Sequence, residues 1–288
     1  MMVGHIGHLG QRILVSLIGF TVFFFALFTS SSPILGWLLP LFCMCVFGAA
    51  MKEFCSIARR KGFDPPAYLG IGISTAYIIA IIATAQTPGV NLLPLSCLII
   101  ALLLIFFFYF FKKKDSFINL SIALFGIGYL VIPLGSGLQM TYFFPDGSPQ
   151  DGRWWVAYLI AISYITDGSA LFVGKTLGRN KLAPSISPQK TWEGAIGGLI
   201  AAILASVLFY FFAHRRLIPM AITLGESIFL GSVISCLAQF GDLAESLLKR
   251  DAGIKDSATI PGLGGVLDIV DSLIFTSPFL YLFLAVYD

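Results

Sequence analysis

Stretches of mostly apolar residues recur along almost the whole chain, each close to the roughly 20 residues that a helix needs to cross a bilayer. They run about Ile13–Phe28, Pro33–Met51, Tyr68–Ala85, Leu92–Phe111, Ile118–Met140, Trp154–Val173, Ala195–Phe212, Ile218–Phe240 and Ile269–Tyr287, the eighth being interrupted by Glu226. A segment in hydrocarbon must satisfy its own backbone hydrogen bonds, so successive spans of this kind dictate helices. The expected fold is an all-α polytopic membrane protein with about nine transmembrane helices. Composition leaves no room for a large soluble domain. Of the 288 residues, 57% are hydrophobic and 11% charged, against about 25% charged in soluble domains. Mean hydropathy is +0.90. Arg12 precedes the first apolar run as in a signal peptide, but no small-residue cleavage site follows before Pro33. That run therefore reads as a membrane helix. Of the five cysteines, Cys43, Cys45, Cys55, Cys97 and Cys236, four lie in apolar stretches and none forms a CxxC pair. They read as small hydrophobes.

The basic residues orient the chain. With the N-terminus in the cytoplasm, 15 of the 18 Lys and Arg residues fall on that side. Only Arg153, Arg215 and Arg216 fall on the other. The positive-inside rule then predicts a cytoplasmic N-terminus and a periplasmic C-terminus. The small net charge of +3 carries no argument for nucleic acid.

Near Arg153 the chain changes character. Residues 1–152 have short loops and few ionisable groups in their spans, and read as a transmembrane scaffold. In residues 153–288, Asp167, Glu193, Asp242, Glu245, Asp268 and Asp271 fall in or beside spans. Acids near hydrocarbon are costly and usually face a cavity, a partner or an ion. This second half is the expected catalytic region.

Two segments there carry candidate chemistry. The loop from Gly174 to Gly194 is basic and rich in Ser, Thr, Gly and Pro, with Lys175, Arg179, Lys181 and Lys190 as cations and Ser185, Ser187 and Thr191 as hydroxyl donors. It suits phosphate groups, or equally an ordinary positive-inside loop against anionic lipid. Gly168 to Thr176 imitates a P-loop but has five residues, not four, between its glycines, and it leaves a membrane span rather than a strand. Gly194 and Gly198 have the small-xxx-small spacing of helix packing. In the second segment, Gly241 to Ser272, Asp242, Glu245 and Lys249 share one helical face by their i, i+3, i+7 spacing. Asp268 and Asp271 repeat the i, i+3 pattern at the start of the last span. Converging, these carboxylates would form an oxygen-rich site for a hard divalent cation such as Mg2+. The alternative is Asp–Lys and Glu–Arg pairing within a charged loop. A Gly-rich turn, Pro261 to Gly265, lets backbone come close to a ligand. His5 and His8 stand alone near the N-terminus, and His214 falls on the far side.

These segments resemble the phosphatidate cytidylyltransferases, or CDP-diacylglycerol synthases. The family signature, S-x-x-K-R, then K-D, P-G-H-G-G and D-R-x-D, is matched by Ser246 to Arg250, Lys255-Asp256, Pro261 to Gly265 and Asp268 to Asp271. The upstream block S-P-K-K-T-x-E-G is matched by Ser187 to Gly194, and D-x-x-A-Y-x-x-G by Asp167 to Gly174. Leu263 stands where the family has His, Ile269 where it has Arg, Leu171 for Tyr and Gln189 for Lys, and Asp256 to Pro261 is one residue short. The resemblance is close from about Ser163 to Ser272; the first half matches only in hydropathy and length.

The resemblance implies an all-helical membrane fold with a polar cavity open to the cytoplasm and built mainly from the C-terminal half. It also implies a homodimer in a bacterial inner membrane, CTP and phosphatidic acid as substrates, and Mg2+ as cofactor. The family has been associated with a monovalent cation such as K+ as well. Carried over residue by residue, Asp242 and Asp268 would hold metal with Glu245 and Asp271 nearby. Lys190, Lys249 and Lys255 would hold triphosphate or phosphatidate. Asp167, Ser187, Thr191, Glu193, Arg250, Asp256, Gly264 and Gly265 would complete the substrate-binding set. Two rival readings are a related CTP-dependent lipid enzyme, such as a polyprenol kinase, and a membrane transporter. A transporter should place its acids at mid-membrane on broken helices and often repeats its halves. Here the acids lie at one face and no repeat is evident.

Overall fold

The structure, a computed structural model, describes residues 17–87, 89–112, 116–145, 147–255 and 265–287. Eight helices are long and apolar enough to cross a membrane, and a shorter apolar helix, α1 (Leu17–Phe28), precedes them. The eight are α2 (Leu38–Arg60), α3 (Ala67–Gln86), α4 (Leu93–Lys112), α5 (Ser116–Thr141), α6 (Gly152–Leu177), α7 (Trp192–His214), α8 (Leu224–Asp251) and α9 (Val266–Tyr287). Each overlaps one of the stretches expected from the sequence. Residues 13–16 of the first stretch lie outside the described residues, as do Asp256, Leu263 and Gly264.

Surfaces confirm the solvent these helices are built for. On α4, Leu103, Phe107, Phe110 and Phe111 are exposed, and on α7, Ile196, Ile200, Leu204 and Leu208 form an exposed stripe at four-residue intervals. In water such faces would associate; against lipid tails they match their surroundings. α5 widens into a π-helical turn at Ile127–Val131, ending two residues before Pro133. Proline has no N–H and its ring clashes with the carbonyl four residues back, and the wider turn accommodates both.

The chain divides into two compact units. The first comprises Met1–Gly135 and Asp251–Ile269, the second Ser136–Arg250 and Val270–Asp288. In the second unit, α6 and α7 approach through the small residues expected to pack. A Cβ at Gly194 would lie 2.6 Å from the Ala170 carbonyl oxygen, and one at Gly198 2.9 Å from that of Thr166. The basic segment between these helices is not a plain loop. It forms an antiparallel hairpin of β1 (Lys181–Ala183) and β2 (Ser187–Thr191), with Lys181 opposite Thr191 and Ala183 opposite Ser187. The hairpin hands directly into α7, where the Thr191 hydroxyl caps the helix by accepting the Gly194 N–H at 3.1 Å.

Candidate active site

Four elements of the second unit converge. Gly241 on α8 lies against α9, where an added Cβ would clash with the Asp271 carbonyl oxygen. Only a residue without a side chain permits that approach, and it brings the neighbouring Asp242 toward Asp271. The third carboxylate is Asp167, on the last part of α6. Asp167, Asp242 and Asp271 lie within electrostatic reach of one another. Tyr164 lies within electrostatic reach of both Asp167 and Asp271, and Ser272 lies beside Asp167.

Cations enter from two directions. Lys190, at the end of the hairpin, reaches Asp242 with its Nζ 2.8 Å from Oδ2, and also donates to the Gln239 carbonyl at 3.4 Å. Gln239 is itself held by donating to the Ala195 carbonyl at 3.2 Å. Lys249 pairs with the buried Glu245 one turn back on α8 and lies within reach of Asp271. Asp242 accepts the Ser246 hydroxyl at 3.4 Å. Asp271, 6% exposed, accepts the Ser272 N–H. The assembly of Asp167, Asp242, Glu245 and Asp271 with Lys190 and Lys249 thus sets four carboxyl groups against two ammonium groups.

A family model described as the cytidylyltransferase family matches residues 10–287. The chain belongs to the cytidylyltransferase family. Among curated relatives, a phosphatidate cytidylyltransferase of Chlamydia pneumoniae is 32% identical over 299 residues, covering 98% of this chain and 94% of the relative. One of Staphylococcus haemolyticus is 32% identical over 256 residues, covering 86% and 90%. One of Bacillus subtilis is 44% identical over 139 residues, about half of each chain. The family match thus extends over the first half, where sequence motifs alone were silent.

In this family member the residues singled out from the sequence separate into groups. Asp242, Glu245, Asp271, Lys190 and Lys249 come together, and Asp167 joins them more intimately than its sequence position suggested. Thr191 is buried and engaged as the cap of α7. Glu193 is drawn to the hairpin base, accepting the Arg179 N–H at 3.1 Å and the Asn180 side-chain N–H at 2.7 Å. Arg250 donates to the Ile186 carbonyl at the hairpin turn, 3.2 Å away. Ser187 sits half-buried at the start of β2. Lys255, Gly265 and Asp268 belong to the first unit, where Lys255 is exposed and Asp268 accepts the Gly265 N–H at 3.2 Å. Among the described residues no three His, Cys, Asp or Glu side chains gather closely enough to enclose an ion. Sequence reasoning passed over Tyr164 and Ser272, which lie near the acids, and Gln239, whose backbone carbonyl accepts from Lys190. Each lies three residues or fewer from an acid within an apolar helix, which is the signal that could have found them.

Proposed function

We propose that this membrane protein transfers the cytidylyl group of CTP to phosphatidic acid, releasing pyrophosphate and leaving CDP-diacylglycerol in the bilayer. The observation that carries this reading is the match over 98% of the chain to a relative named phosphatidate cytidylyltransferase. The site's chemistry is consistent with it. A phosphatidate oxygen attacks the α-phosphorus of CTP, the bond to the β-phosphate oxygen breaks, and the electron pair leaves with pyrophosphate. The phosphate monoester is already anionic near neutral pH, so the chain need not supply a strong base. Its task is to hold two polyanions together and offset their repulsion.

Lys190 and Lys249 are the ammonium groups beside the acids, and Lys255 adds a third cation from the Lys255-Asp256 motif. The clustered acids outnumber the ammonium groups beside them, and carboxylate oxygens are the donors Mg2+ prefers. The family motif assigns it to Asp242 and Asp268 with Glu245 and Asp271 nearby; of these, Asp242 and Asp271 come near each other and Asp167, and the carboxylates would have to approach further to enclose an ion. Bound there, Mg2+ would supply charge neutralisation for the triphosphate. Lys190, by moving from Asp242 to phosphate, would keep its own charge paired throughout.

The same reading places the protein in a bacterial inner membrane as a homodimer, with a cytoplasmic N-terminus and a periplasmic C-terminus. The distribution of basic residues supports the orientation. A tag following Asp288 should be accessible only from the periplasm, and one inserted at Lys113 only from the cytoplasm. Both tags reporting one side would refute it. The activity is tested with purified protein in phosphatidate-containing liposomes with Mg2+ and CTP labelled at the α- or the γ-phosphate. The α-label should enter extracted lipid and the γ-label should leave as pyrophosphate. Transfer of the γ-label to lipid would show a kinase instead.

A further inference from the structure

Glu53 lies on α2 among the buried residues Ala50, Met51, Phe54 and Cys55, and is itself 0% exposed. A carboxylate so placed is costly unless hydrogen bonds hold it. Its Oε2 accepts the backbone N–H of Leu267 at 2.8 Å, across 214 residues of sequence. Leu267 is the second residue of α9. Its N–H is one of the four at a helix start that no carbonyl of the same helix can reach. Asp268 takes the Gly265 N–H just before the helix. Two carboxylates therefore close the amino end of α9, where the helix dipole favours negative charge. One of them comes from a distant helix, and it ties the height and rotation of α9 at that end to α2.

What α9 carries makes this tie consequential. Asp268 follows Leu267 directly, and Asp271 lies one turn further along the same continuous helix. A slip or rotation of the helix start would move both carboxylates. We propose that Glu53 is a positioning residue for cytidylyl transfer: its carboxylate anchors the amino end of α9 and so sets where Asp268 and Asp271 stand. The proposal rests on the reading of those acids given above. It assigns a part in the reaction to a residue of the half that the sequence marked as scaffold.

The test uses the full-length protein in lipid nanodiscs. Glu53→Ala removes the acceptor; Glu53→Gln keeps an acceptor oxygen without the charge. In Glu53→Ala, amide exchange over residues 265–272 should accelerate about tenfold or more. kcat per folded molecule should fall about 100-fold, the scale of a small misplacement of reacting groups, with little change in KM for CTP. Glu53→Gln should recover most of both. A merely structural role would lower the melting temperature and leave kcat per folded molecule unchanged, and that result would overturn the proposal. Wild-type exchange in Glu53→Ala would overturn it too. If Glu53→Ala does not accumulate, Glu53→Gln decides on the same readings: slightly faster exchange with reduced kcat supports the anchor, and no change in either overturns it. Should the wild type itself form no cytidylylated lipid, the transfer reading fails, while accelerated exchange in Glu53→Ala still supports the anchor and unchanged exchange overturns it.

Discussion

The surface acids of the first unit and the clustered acids of the second are treated differently. In the first, the exposed Asp64 is flanked by Lys112 at 3.0 Å and Arg59 at 3.4 Å, and Asp251 by Lys61 at 2.9 Å. Each of these acids has at least one cation to itself, at the surface, fastening loops and helix ends. In the second, Asp167, Asp242, Glu245 and Asp271 share Lys190 and Lys249 between them, inside apolar helices. Paired surface acids are explained by local structure. Acids that outnumber the cations beside them within apolar helices are less easily explained so, because hydrocarbon penalises them and two ammonium groups cannot pair with all four. They point to a ligand that brings positive charge.

The comparison breaks most easily at Asp242. Asp242→Asn keeps the size of the side chain and removes the charge shared by Lys190 and the other acids. Turnover should fall about 100- to 1,000-fold or more, measured as α-label entering lipid, while the protein still inserts and elutes as the wild type does. Near-normal turnover would mean that the acid cluster is a structural feature after all. Lys190→Ala comes next. It removes a donor to Asp242 and, by proposal, to phosphate, so kcat/KM for CTP should drop about 10- to 100-fold. Lys190→Arg should recover part of the loss. Equal loss in Arg and Ala variants would show that the shape of the ammonium, not its charge, is what the site uses.

Apolar runs and basic loops made the membrane fold readable from the sequence, because hydrocarbon admits so few alternatives to the helix. Span ends were less readable. The second span was expected to stop at Met51, yet α2 continues through Lys52 and Glu53 to Arg60. That early stop put Glu53 in a loop and hid the one feature that marks it, a buried acid inside an apolar helix. The hairpin Lys181–Thr191 was read as loop because its strands are short, with Pro184 just past β1 and Pro188 inside β2. At the site, spacing along α8 put Asp242, Glu245 and Lys249 on one helical face, and Glu245 and Lys249 pair there. It could not show that Lys190 would be the partner of Asp242, nor that Asp167 would join from α6, since both depend on packing between helices far apart in sequence.

A smaller effect tests the hairpin's anchorage. Thr191→Ala removes the oxygen that accepts the Gly194 N–H at the start of α7. Loss of such a cap costs about 1 kcal/mol, to be seen as a lowered thermal midpoint. Thr191→Ser should restore it, because serine offers the same acceptor. Failure of that rescue would shift the role of Thr191 from its hydroxyl to its methyl group, which lies beside Gly178.

The smallest effect belongs to the first unit. Asp64 lies in the turn between α2 and α3, its side chain 64% exposed. The hydrogen bond from Lys112 is the main influence that holds its carboxyl below the usual aspartate range, with the charges of Lys112 and Arg59 adding to it. Because the folded-state value is the lower one, the ionised group contributes stability that is fully present at neutral pH. That contribution begins to fade as pH falls past the ordinary value near 3.8 and is gone below the depressed one. Asp64→Asn should therefore cost about 0.2–1 kcal/mol at pH 7, the range for exposed pairs. The backbone N–H of residue 64 keeps its bond to the Asn119 side chain, 2.7 Å away, so the turn itself should survive. The gap between wild type and variant should narrow on acidification and in about 1 M salt, where screening acts within about 3 Å. A gap that ignores both would trace to the turn's shape and not to charge. Turnover should stay at the wild-type level. If Asp64→Asn instead loses activity as Asp242→Asn does, surface pairing would no longer distinguish the acids of one unit from those of the other, and the contrast between them would fall.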